Sequence, residues 1–188
     1  MALLRDRLSS LKVNVTSPDG QLKARLVGGN DLTLAFRPGT YRHYNERDLE
    51  HQLERLAVLT WVGYRRGYFE AMAETSGQTV DEVQKPHWDA KYRRYYEAVA
   101  EMVAKGESPS GAIKARSKGF AFWKVRIEDG TIEAFDENRF LSEAVATFRQ
   151  VRVNGEHQRT FLKDEFFGLN LPPEVREHRN RMKARMQQ

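Results

Sequence analysis

The sequence predicts an α+β protein made of two tandem copies of one unit, antiparallel β-hairpin sheets flanked by long helices. Three observations predict it. The chain matches itself at an offset of 91 residues, the signature of an internal repeat. Short runs of alternating apolar and polar residues are bounded by Gly, Pro, Asn and Asp, as strands joined by tight turns are. Long runs with apolar residues at helical spacing follow them.

The ungapped core of the repeat lays Ser17-Pro18-Asp19-Gly20-Gln21-Leu22-Lys23-Ala24-Arg25 on Ser108-Pro109-Ser110-Gly111-Ala112-Ile113-Lys114-Ala115-Arg116. The register then carries Gly28 onto Gly119, Gly39-Thr40 onto Gly130-Thr131 and Asn45-Glu46 onto Asp136-Glu137. It also carries Leu34, Phe36, Tyr44 and Leu49 onto Val125, Ile127, Phe135 and Phe140. These positions are punctuation and core. Leu11 to Thr16 reads as a first strand. Ser-Pro-x-Gly is a turn, with proline presetting φ and glycine accepting φ > 0. Lys23-Ala24-Arg25 lies in the next strand, Gly28-Gly29-Asn30-Asp31 turns the chain, and Leu32 to Phe36 alternates until Pro38-Gly39 ends it. Asn45 and Asp136 are N-caps, each followed by glutamate in the first turn. The unit is strand, strand, strand, long helix. In the second copy Met102-Val103-Ala104-Lys105 reads as helical, so its first strand is expected to be shortened or absent.

From Glu46 to about Thr75 a helix carries Leu49, Leu53, Leu56, Thr60, Gly63, Gly67 and Ala71 on one seam, which narrows toward its end. Thr79-x-x-Glu82 is a capping box, and Pro86 interrupts or restarts the helix behind it. Next, Trp88, Tyr92, Tyr95, Val99 and Met102 are spaced four, three, four, three. That is a coiled-coil seam, read as core able to fill the hollows beside Gly63 and Gly67 rather than as a base-stacking platform. The segment from Leu169 is expected to be a Pro-initiated basic helix or tail. The organisation is therefore unit 1 over 1–78, unit 2 (helix, β-hairpin, helix) over 79–168 and a C-terminal segment over 169–188.

Composition narrows the function classes. A chain of 188 residues with 40% hydrophobic and 30% charged residues can bury a core, and its mean hydropathy of −0.70 suits long helices with charged faces. The absence of cysteine removes disulfides, thiolate metal sites and a cysteine nucleophile. The charged start of the chain and the lack of an apolar run of roughly 18 residues argue against a signal peptide or membrane span, so a cytoplasmic protein with no membrane partner is expected. Of the net charge of +5, about +3 comes from the tail, where Arg176, Arg179, Arg181, Lys183 and Arg185 outnumber Glu174 and Glu177.

No catalytic residue, cofactor or metal is assigned. His43, His51, His87, His157 and His178 form no pair at ligand spacing. Glu50, Glu54, Glu97 and Glu101 lie at i,i+4 spacing, which ordinarily marks a solvated face, and no glycine sits in a phosphate-loop pattern. What remains are basic clusters: Arg55, Arg65 and Arg66 on the first long helix, Lys91, Arg93 and Arg94 on the second, and the strand pairs Lys23/Arg25 and Lys114/Arg116. These ten are the candidate phosphate-contacting residues. Both copies keep the strand pair, and alternation turns it away from Leu22, Ala24, Ile113 and Ala115.

The run Val13-Asn14-Val15-Thr16-Ser17-Pro18-Asp19-Gly20-Gln21-Leu22-Lys23-Ala24-Arg25-Leu26, the hairpin into Leu32-Thr33-Leu34-Ala35-Phe36 and the long helix after Asn45 resemble the YbaB/EbfC family of nucleoid-associated proteins, most closely its actinobacterial members. The resemblance covers about residues 11–75 and, through the repeat, 105–155. It implies an α+β fold, a homodimer for which the second copy substitutes as an intrachain pseudo-dimer, and binding of DNA with little sequence preference at the nucleoid. The alternative it leaves is a protein-interaction adaptor or chaperone associated with type VII (ESX) secretion.

Overall fold

The computed structural model describes residues 2–85, 89–169, 171–175, 177, 180 and 181. Helix α1 (Ala2–Ser10) leads into strands β1 (Lys12–Thr16), β2 (Leu22–Val27) and β3 (Asp31–Phe36), a 3₁₀ turn at Tyr41–His43, and helix α2 (Glu46–Ser76). Helices α3 (Val80–Gln84) and α4 (Ala90–Glu101) connect to β4 (Val103–Glu107), β5 (Ile113–Lys118), β6 (Phe122–Ile127), α5 (Thr131–Ala134) and α6 (Glu137–Phe167). The fold is α+β, with two antiparallel sheets ordered β1-β2-β3 and β4-β5-β6.

The repeated punctuation does the same work in both units. The Ser17 hydroxyl accepts from the Leu22 N–H at 2.9 Å, and the Ser108 hydroxyl from the Ile113 N–H at 3.0 Å, closing the two equivalent turns. Asn45 accepts from the Asp48 N–H and Asp136 from the Arg139 N–H, so each cap satisfies one donor at a helix start. The Thr79 capping box forms as expected.

The turns are also braced by the long helices, with the acid and its neutral partner exchanged between copies. The N–H of Asp19 donates to Gln52 of α2, whereas the N–H and hydroxyl of Ser110 donate to Glu143 of α6. Burial pushes the Asp19 carboxyl up, but hydrogen bonds from the Ser17 and Tyr44 hydroxyls and the Gln21 N–H outweigh it and leave it below its ordinary 3.8. Burial likewise raises Glu143, and the Ser110 and Ser108 bonds carry it below its ordinary 4.5. The unfolded chain therefore binds more protons than the folded one in acid. The stabilisation from these two groups is fully present above the ordinary carboxylate range and is lost as the pH falls through their lowered values. Urea unfolding at pH about 6 and about 3 checks this: Asp19→Asn/Glu143→Gln is expected to lose less stability across that interval than the parent.

Each long helix packs on its own sheet and on the last strand of the other: α2 lies against β1, β2 and β6, and α6 against β4, β5 and β3. Residues from both units, among them Leu22, Leu34, Phe36, Leu49, Leu53, Ile113, Val125, Phe140 and Val151, form one hydrophobic core. The segments 1–78 and 79–168 thus contribute to a single interior.

Three sequence-based expectations are corrected here. Unit 2 has a full first strand, since Val103, Ala104 and Lys105 belong to β4 rather than to a helix, and α4 stops at Glu101. The hollows beside Gly63 and Gly67 are filled by Val13 and Leu11 and not by α4: an added Cβ would stand 2.6 Å from Val13 Cγ1 and 2.4 Å from Leu11 Cδ1. Of the seam, Tyr95 and Met102 are buried, Tyr95 against Phe166 and Phe167 of α6, Val99 is half-buried, Tyr92 is exposed and Trp88 lies outside the described residues. In the C-terminal segment the described helical residues begin at Pro173, and most of the basic tail lies outside the described residues.

Candidate nucleic-acid interface

Alternation along β4, β5 and β6 sends Ala104, Ile113, Ala115, Val125 and Ile127 into the core and the intervening side chains to solvent. The exposed set is strongly basic. Register places Lys105 opposite Arg116 and Arg116 opposite Lys124, one row of cations across all three strands. The neighbouring row is Glu107, Lys114 and Arg126, and Lys118 sits in the next beside Phe122. The aligned rows of the first sheet are Asn14, Arg25, Thr33 and Thr16, Lys23, Ala35, so only the second sheet concentrates charge.

Side chains from both long helices hold this sheet at its edges. On the β4 side, α6 supplies Asn154 and Gln150, which accept from the Lys105 and Glu107 N–H groups, and Gln158, which donates to the Val103 carbonyl. On the β6 side, α2 supplies Glu54 and Glu50, which accept from the Val125 N–H at 3.1 Å and the Ile127 N–H at 2.8 Å. Glu50 is 8% exposed. Glu50 and Glu54 are therefore strand caps, not the solvated face that their spacing suggested. Replacing Glu50 by alanine leaves a buried N–H bare and is expected to cost about 1–3 kcal/mol, measured by urea unfolding, with faster amide exchange at Ile127 than at Ile113.

Ion pairs on this face leave their cations exposed, while Glu50 and Glu54 are largely buried. Lys114 lies 3.5 Å from Glu107 and 3.6 Å from Glu128, Lys124 3.4 Å from Glu54, and Arg126 3.3 Å from Glu50. Lys118 pairs with Glu101 at 2.7 Å. The cations, 46–80% exposed, are open to solvent and screened, so phosphates can reach them. Lys105 and Arg116, at the middle of the basic block, form no ion pair among the described residues.

Of the ten candidates, Lys114 and Arg116 lie within this block. Lys23 and Arg25 occupy the outer face of the first sheet. Arg55, Arg65 and Arg66 are exposed along α2, where Arg65 stands over the Phe69 ring and Arg66 pairs with Glu70 at 2.9 Å. Lys91, Arg93 and Arg94 are exposed on α4, which packs chiefly on α6, and Lys91 stands over Phe167. The ten are thus spread over four elements. Lys105, Lys118, Lys124 and Arg126 were missed. The signal for Lys124 and Arg126 was present in the alternation of Phe122-Trp123-Lys124-Val125-Arg126-Ile127, whereas Lys105 needed β4 to be recognised.

Among the described residues no group of three His, Asp or Glu is placed to hold a metal, and no helix is long and apolar enough to cross a membrane. No family model, curated protein or solved structure gives a significant match to the chain.

Proposed function

We propose that the protein is a non-enzymatic binder of duplex DNA with little sequence specificity, of YbaB/EbfC type, acting at the nucleoid as an intrachain pseudo-dimer. The observation that carries the reading is the Lys105, Arg116 and Lys124 row with Lys114, Lys118 and Arg126 around it on one exposed sheet face. A flat block of cations neutralises phosphates along a duplex without reaching base edges, so it gives affinity without sequence readout. Phe122, 72% exposed on the same face, is a single ring and so offers one stacking contact rather than a platform for successive bases. Strand neighbours lie about 4.8 Å apart, so the central row spans roughly 10 Å and engages several phosphates at once.

Fluorescence anisotropy with random-sequence duplex at about 50 and about 200 mM salt tests the reading. Micromolar or tighter binding that falls steeply with salt is expected. Absence of binding at the lower salt overturns it and favours the adaptor reading, in which the protein engages another polypeptide.

A further inference from the structure

The last strands of the two sheets, β3 and β6, align residue for residue, yet their outer edges differ. In β6 the Val125 and Ile127 N–H groups are capped by Glu54 and Glu50. The aligned groups in β3 belong to Leu34 and Phe36. Because the Arg37 N–H donates to the Gln21 carbonyl at 2.7 Å, the β2–β3 bonds fall on the odd-numbered residues of β3, and Leu32, Leu34 and Phe36 direct their N–H and C=O groups away from β2. The α6 residues aligned with Glu50 and Glu54 are Leu141 and Val145, which carry no acceptor. Among the described residues nothing accepts from the Leu34 or Phe36 N–H.

This bare edge opens on a groove of about 380 Å³ between β3 and α6, with Leu32, Leu34, Leu141 and Val145 as its apolar walls. Arg149 is the one charged residue of the lining, is exposed, and forms no ion pair among the described residues.

We propose that β3 is a strand-addition site for an extended acidic segment of a partner polypeptide. The segment lies along β3, accepts from the Leu34 and Phe36 N–H groups with its main-chain carbonyls, rests apolar side chains on Leu141 and Val145, and sets a carboxylate beside Arg149. Main-chain bonding to a sheet edge supplies affinity and alternate side chains supply selectivity. The chemistry has a counterpart within the chain itself, since carboxylates fill the matching position at β6. A second copy fits less well: a second β3 turns Leu32, Leu34 and Phe36 toward the groove, none of them acidic, and so offers Arg149 no carboxylate. The inference goes beyond the nucleic-acid reading and does not depend on it, because the groove and the basic face lie on different sheets.

The test uses the full chain and a blocked peptide, acetyl-(Val-Glu)₃-amide, with acetyl-(Val-Lys)₃-amide as its counterpart. Amide shifts and hydrogen exchange are followed at Leu34 and Phe36, with Val125 and Ile127 as capped references. The glutamate peptide is expected to shift and protect Leu34 and Phe36 and leave the references unchanged. Leu141→Glu/Val145→Glu installs the caps of the other unit and is expected to weaken peptide binding about tenfold or more. Arg149→Glu is expected to transfer the preference to the lysine peptide, and it decides the matter alone if the double variant fails to fold. Three results overturn the proposal: no change at Leu34 and Phe36 up to about 1 mM peptide, equal binding of the two peptides, or protection of the edge that rises with protein concentration alone and so assigns it to a second copy.

Discussion

Replacing Phe140 by alanine is expected to lower the unfolding free energy by about 3–5 kcal/mol while leaving a single cooperative transition. Phe140 is fully buried at 0% exposure, and its ring meets Phe36 at 6.1 Å and Tyr41 at 5.3 Å between centroids. Both partners belong to the first unit. The Tyr41 hydroxyl continues the link by donating to the Phe135 carbonyl at 3.3 Å, and burial pushes that hydroxyl up to about 12. Deleting the ring removes buried apolar surface and leaves a cavity where the two halves meet, in a close-packed interior that relaxes only in part. For a chain of this length the loss corresponds to a fall in Tm of roughly 6–20 °C. Thermal unfolding followed by both far-ultraviolet dichroism and tryptophan fluorescence checks it. If the halves were separate domains, the variant would split the melt into two steps, one of them unmoved; the shared core predicts coincident curves displaced together.

The sequence made the unit legible wherever a local rule set the structure. The Ser-Pro-x-Gly turns, the Asn45 and Asp136 caps and the outward aim of Lys23, Arg25, Lys114 and Arg116 each follow from one residue's own conformational or hydrogen-bonding preference, and each is found. The features that escaped are tertiary. Strand β4 contains Lys105, Gly106 and Glu107, which have poor strand propensity. It forms because α6 passes so close that a Cβ on Gly106 would stand 2.5 Å from the Thr147 carbonyl oxygen, and because Asn154, Gln150 and Gln158 bond its edge. Periodicity along one helix likewise cannot show that Glu50 and Glu54 are turned to a strand of the other unit. Their helical spacing matches both a solvated face and a pair of caps two strand residues apart, and the partner that decides lies more than 70 residues away.

That same tertiary placement sets the size of the effect expected when the basic row is reversed. Lys105→Glu/Arg116→Glu/Lys124→Glu removes three phosphate contacts if the row lies on the duplex, and each contact contributes about −0.9 to the slope of log affinity against log salt, so the slope is expected to flatten by about 2.7. Over a fourfold rise in salt this amounts to roughly 40-fold less sensitivity, on top of weaker binding at low salt from the repulsion of three introduced carboxylates. The three side chains are exposed, so the fold is expected to persist; Lys124→Glu sets a like charge beside the Glu54 cap, and the urea midpoint measures that cost. The same exchange on the helices, Arg65→Glu/Arg66→Glu or Lys91→Glu/Arg94→Glu, separates the surfaces, because a duplex seated on the second sheet does not require the exposed side of α2 or α4. A larger loss of slope from either helix pair than from the strand row would move the interface to that helix, whereas loss confined to the row would fix it on the one face where register lines up cations across three strands.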